Sequence, residues 1–159
     1  MTATNPARRR LSLSVLALVW ACVQPPPDVG PLAPVRTEDT RVVRLMAEVD
    51  RDADRDGHAA ARTIREIVLP VARANARACM QIHPVHPVAQ SLASDLRSLL
   101  DERVVRLERY ADALDSGDLA ARIREMRAQR ELEDDMGRLE RRFDAAGRMP
   151  ATRGCSRAP

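Results

Sequence analysis

Two short stretches of this 159-residue chain carry side chains whose types and spacing could do chemistry. In the first, Asp52, Asp54 and Asp56 alternate along the chain and Gly57 follows. Carboxylates at alternate loop positions can converge on a hard cation such as Ca²⁺, and a glycine behind them lets the chain turn sharply. In the second, Cys79 and Met80 stand shortly before His83 and His86. Thiolate, thioether and imidazole are transition-metal ligands, and soft sulfur suits Cu(I) or Zn²⁺. The sequence thus offers two alternative metal sets, Asp52, Asp54 and Asp56 for calcium, or Cys79, His83 and His86 for a transition metal.

The first stretch resembles the opening of an EF-hand loop, D-x-D-x-D-G. The resemblance implies a calcium site, but it covers only residues 52–57. Thr63 stands where that family has its bidentate glutamate, Ala59 stands where it has a large aliphatic residue, and Arg55 adds positive charge. The spacing of Cys79, His83 and His86 matches no standard zinc signature, and each histidine precedes a proline. Catalysis has less support. The chain has three histidines, no glycine-rich phosphate loop and no nucleophile in a recognisable elbow, and its carboxylates alternate with arginines as on solvated helix faces. We expect no enzyme activity and no cofactor.

The start of the chain points to export. Arg8, Arg9 and Arg10 precede an apolar run from Leu11 to Trp20, and small Ala21 stands before Cys22. That is the pattern of a signal peptide over residues 1–21. The run from Leu11 to Val23 is shorter than the roughly 20 residues a spanning helix needs. Val19-Trp20-Ala21-Cys22 resembles the lipobox of bacterial lipoproteins, with Trp20 departing from its small or aliphatic second position. The resemblance implies cleavage before Cys22, diacylglycerol on its thiol and N-acylation (palmitate) of the new terminus. The expected location is the cell envelope, lipid-anchored and facing the periplasm. Val23 is not the aspartate of inner-membrane retention in enteric lipoproteins, so the resemblance favours the outer membrane.

Of the 26 basic residues, all arginine, three lie before residue 22, where no acid occurs; 23 then face 23 acidic residues. A neutral mature chain with interleaved signs argues against nucleic acid as a partner. Aromatics make up only 2% of residues, so a core must be built from aliphatic residues and alanine, which favours close-packed helices over strands.

Which elements would position these groups follows from the periodicity. Five prolines within residues 23–36 suggest an extended tether over 22–36. Thr37 to Thr40 offer a helix cap and first-turn acids. An apolar stripe then runs through Val42, Met46, Val49 and Ala53, and on through Ala60, Ile64, Ile67, Val71, Ala74 and Ala78. Gly57 could break this segment, and Pro70 should kink it. Residues 81–87 read as a connector. Helices follow over about 88–114 and 119–146, with stripes Leu92, Leu96, Leu100, Val104, Leu107, Ala111, Leu114 and Leu119, Ile123, Met126, Leu132, Met136, Leu139, Phe143, Ala146. Gly117 and Asp118 end one and begin the next.

The expected fold is all-α, an antiparallel three- or four-helix bundle with coiled-coil-like packing over 37–147, followed by a tail at 148–159. An elongated hairpin that dimerises is the alternative. In an exported chain with Cys22 committed to lipid, Cys79 and Cys155 suggest a disulfide. The topology returns Cys155 towards Cys79, because the last helix runs back to that end. The expected function is a membrane-tethered, non-enzymatic interaction or structural module with an envelope protein or a second copy as partner; the alternative is a metal- or calcium-binding sensor.

Overall fold

The computed structural model describes residues 27–149, and these form four helices packed against one another with no strand among them. A 3-10 turn, Gly30–Leu32, leads directly into α1, Ala33–Ala53. Helix α2 spans residues 57–80. It consists of an α-helical stretch, Gly57–Thr63, a π turn, Ile64–Val68, and a second α-helical stretch, Leu69–Met80. Helices α3, Pro87–Ser116, and α4, Leu119–Gly147, complete the chain.

Short connections force successive helices to run antiparallel. The chain turns between α1 and α2 at Asp54–Asp56, and the Asp56 carboxylate accepts the Ala59 N–H at 2.9 Å to cap the new helix. A side chain on Gly57 would meet the Leu114 carbonyl oxygen at 3.1 Å, so its absence lets the first turn of α2 lie against the last turn of α3. Between α2 and α3, the His86 ring accepts the Val88 N–H at 3.2 Å. Gly117 ends α3 at φ +68°, and Asp118 caps α4 through the Ala121 N–H at 2.9 Å. One end of the bundle, the upper, therefore gathers residues 53–57 and 116–119. The lower end gathers the start of α1, the 81–86 connector and the end of α4.

The helical body starts earlier than expected. Residues 30–36 are not part of an extended tether, and Thr37–Thr40 do not cap a helix. Pro31 sits in the 3-10 turn and Pro34 in the first turn of α1, where a missing N–H breaks no helical bond. Leu32 and Val35 are buried in the core. Thr37 and Thr40 lie inside α1 and return their hydroxyls to the carbonyls of Ala33 and Arg36.

The second half of the long apolar stripe is also displaced. Ile67 is 50% exposed, Ala74 and Ala78 are exposed, and the buried residues are Val68, Ala72, Ala76 and Cys79. The cause is the π turn just before Pro70. Pro70 lacks a donor, and the turn takes in one extra residue, with the Leu69 N–H reaching the Ile64 carbonyl. One extra residue rotates the following helix by about 100°, so the buried stripe slips by one position.

Two apolar clusters form the core. The upper one joins α1, α2 and α3 through Val42, Met46, Ile64, Val68, Leu107 and Leu114. The lower one adds α4, through Met136, Leu139, Phe143 and Ala146, to Leu32, Val35, Cys79 and Leu96. Between them lies a buried polar layer of Asp39, Asn75 and Arg103. In α4, residues 119–131 contribute no fully buried side chain, so four helices share the core below, while above, α4 touches it only through half-buried Met126.

Candidate functional site

The upper face between α1 and α4 is where polar chemistry collects. Because α4 meets the upper core there only through half-buried Met126, it leaves a groove of about 130 Å³ lined by Met46, Asp50, Tyr110, Met126, Gln129 and Glu133. At its floor the Tyr110 hydroxyl donates to Asp50 Oδ1 at 3.0 Å. Burial, then the Asp50 charge and hydrogen bond, push the phenol up to about 12, with Arg122 opposing. At neutral pH Tyr110 is thus a hydrogen-bonding phenol and not a base. Arg122 reaches from α4 to Asp54 at 2.5 Å, and Glu125 faces Arg106 at 3.7 Å. Arg122 Nε and Gln129 Nε2 are shielded from solvent and make no hydrogen bond within the described residues, while the shielded Glu125 Oε2 is the atom that faces Arg106. Leu119 and Ile123 stand beside them, 65% and 41% exposed. The arrangement presents an apolar edge, Leu119 and Ile123, to whatever meets this face.

The carboxylates of the upper turn have other tasks. Asp54 pairs with Arg122 and Asp56 caps α2, while Asp52 lies 3.8 Å from Arg55 and points to solvent. A helix–break–helix geometry therefore separates the three groups that the loop resemblance would gather. At the lower end, Cys79 is fully buried, His83 is exposed and His86 is engaged as a cap. Among the described residues, no group of three or more His, Cys, Asp or Glu side chains is placed to hold a metal ion. In this arrangement neither Asp52, Asp54 and Asp56 nor Cys79, His83 and His86 are gathered into one group. Cys22 and Cys155 lie outside the described residues, and α4 does end beside the lower cluster that holds Cys79.

Cross-helix ion pairs fix the rest of the surface. Arg36 of α1 holds Glu140 of α4 and lies over the Phe143 ring at 4.6 Å. Arg65 ties α2 to Asp112 and Asp115 of α3, Arg73 reaches Glu108 at 2.6 Å, and Arg142 reaches Asp95 at 2.6 Å. Along α3, Glu102 pairs with Arg106 at 3.1 Å. In α4, Arg122 pairs with Asp54 and Arg138 with Asp135.

Sequence reasoning missed the buried pair. Arg103 Nε lies 2.9 Å from Asp39 Oδ1, and Asn75 donates to the Val35 carbonyl at 3.0 Å. A signal was there: Arg103 stands between Leu100 and Leu107, and Asp39 between Val35 and Val42, at core-facing helical spacing. No helix of the described residues is long and apolar enough to cross a membrane. No protein-family model, curated protein or solved structure matches this chain.

Proposed function

We propose that the protein is a lipid-anchored module of the cell envelope that works by binding a protein partner through the upper α1–α4 face, and that it is not an enzyme. One observation carries the binding role. The first part of α4 leaves Leu119 and Ile123 exposed, 65% and 41%, on the helix that borders the groove over Tyr110 and Asp50. Large apolar side chains that the bundle's own core leaves uncovered mark a surface that a partner can bury. The anchor rests on the basic, apolar and Val19–Cys22 pattern at the start of the chain. The groups assigned here to binding have no partner base or nucleophile, so the reading names no catalytic residue.

The anchor is tested by intact mass spectrometry of the membrane fraction, comparing wild type with Cys22→Ala. A mature mass that begins at an acylated Cys22, absent in the variant, supports it; a soluble, unacylated product rejects it. The same spectra, taken before and after reduction, read the proposed Cys79–Cys155 bridge as a mass lower by two hydrogens. The binding face is tested by a photo-crosslinking side chain at Ile123. A discrete adduct, whether to another envelope protein or to a second copy, is expected, and Arg122→Ala should weaken it. The same probe at Val105, exposed on α3, serves as the control; equal yields at both positions would remove the assignment to this face.

A further inference from the structure

The two ends of the bundle differ in chemistry. At the upper end, Asp52, Asp54, Arg55, Asp56, Asp115 and Asp118 crowd the turns. At the lower end the chain passes from the last turn of α2, through the connector, into the first turns of α3. Residues 78–94 of that passage contain no Asp, Glu, Lys or Arg, although 31% of the whole chain is charged. Apolar side chains stand exposed there: Val85 at 92%, Met80 at 46%, and Met149, just past α4, at 45%. Large apolar side chains on and beside an uncharged connector, in a molecule whose flanks are laced with ion pairs, mark a surface that something apolar covers.

The place where the described chain begins indicates what that is. Val29 packs against the lower apolar cluster, beside Ile82 and Val88, so the chain enters the bundle at this same end. With folded structure starting by Gly30, only residues 23–26 separate Cys22 from Pro27. Five residue steps span at most about 17 Å. The bundle is far longer than that: the 29 residues of α4 rise about 43 Å.

From this we infer that the lower end, led by Val85, Met80 and Met149, rests on the lipid surface that holds Cys22, with the acidic upper end and the α1–α4 face projecting away from it. The inference depends on the lipid anchor proposed above and adds an orientation to it. A bundle lying on its flank would instead press the Arg–Asp and Arg–Glu pairs of that flank against the bilayer, at a desolvation cost that the uncharged 78–94 passage avoids. Standing on end also leaves the Leu119–Ile123 edge accessible to a partner in the periplasm.

The chain has a single tryptophan, Trp20, which cleavage before Cys22 removes. A tryptophan introduced in the mature protein is then its only one. Val85→Trp and Arg55→Trp place it at the lower and upper ends, both on exposed side chains. Each variant is purified from membranes as the full mature chain, its mass is measured, and it is reconstituted into phosphatidylcholine vesicles with and without brominated acyl chains. In acylated protein, emission from Val85→Trp should shift to the blue and be quenched several-fold more by brominated lipid than emission from Arg55→Trp. Acylated protein in which neither probe is quenched, or both are quenched alike, overturns the end-on orientation and leaves the anchor standing. Unacylated protein overturns the anchor, and the orientation with it, and the mass alone tells these failures apart.

Discussion

Arg103 of α3 and Asp39 of α1 meet inside the bundle, with Nε 2.9 Å from Oδ1 and only 2% and 8% of their side chains exposed. The second contact, from Arg103 Nη2 to Asp39 Oδ2, is longer at 3.3 Å. Lying between the two apolar clusters, the pair fixes which layer of α1 faces which layer of α3. Two smooth aliphatic stripes of leucine, valine and alanine would slide past one another at little cost; a buried ion pair cannot, because each slipped register strands a charge in the core.

The pair should behave as a registering device more than as a source of stability. Arg103→Met, which leaves Asp39 buried alone, should cost about 3–5 kcal/mol in urea denaturation. Asp39→Leu combined with Arg103→Met should be neutral or stabilising by about 1–4 kcal/mol. Burial raises the Asp39 carboxyl above its ordinary value, with Arg103 opposing. A raised folded-state pKa means the native state holds this proton more tightly, so Asp39 contributes less stability as pH rises through the carboxylate range. Removing Arg103 removes the opposing term, and acid should therefore recover part of the Arg103→Met loss. A double variant as unstable as the single one would refute this account.

Tyr110 is the chain's only tyrosine, so its ionisation can be read directly from phenolate absorbance. In the folded protein the midpoint should lie at about 12, against 10.0 for an unperturbed phenol. Between those values the native state keeps a proton that the unfolded chain has lost, so stability should fall across that interval. Tyr110→Phe should abolish this alkaline loss, and it should cost roughly 1 kcal/mol at neutral pH through the bond to Asp50. A midpoint at the ordinary value would place Tyr110 in water.

The π turn makes a contrast between neighbours. Val68 is fully buried and Ile67 half exposed. Val68→Ala should lower stability by roughly 2 kcal/mol, while Ile67→Ser should stay within about 0.5 kcal/mol. Thermal or urea unfolding of the two variants decides the register; the reverse order would restore the uninterrupted stripe through Ile67 and Val71.

Asp56 separates a cap from a calcium ligand. Asp56→Ala removes the acceptor of the Ala59 N–H and should cost about 1 kcal/mol. The loss should be the same with and without millimolar Ca²⁺. Wild type that is stabilised by calcium when the variant is not would reinstate Asp52, Asp54 and Asp56 as a site.

The sequence by itself determined the helical class, the two long helices α3 and α4, and the turn at Gly117–Asp118. Those features depend on local periodicity and capping, which a single segment carries whatever it packs against. It also marked the Gly57 break and the proline at which α2 is disturbed. What only the tertiary structure decided is where the local pattern yields to its surroundings. Pro31 and Pro34 read as tether because prolines oppose helix, yet at a first turn they break nothing, and Leu32 and Val35 gain burial by folding. Leu119 and Ile123 have helical spacing equal to that of Leu139 and Phe143, but only the latter meet three other helices. Chain direction, and not the D-x-D-x-D-G spacing, decides that Asp54 meets Arg122 and that Asp56 caps its own helix. Arg103 and Asp39 lie 64 residues apart, and nothing local can pair them: the cost of burying either charge is met only by the other, and that exists only once the bundle has closed.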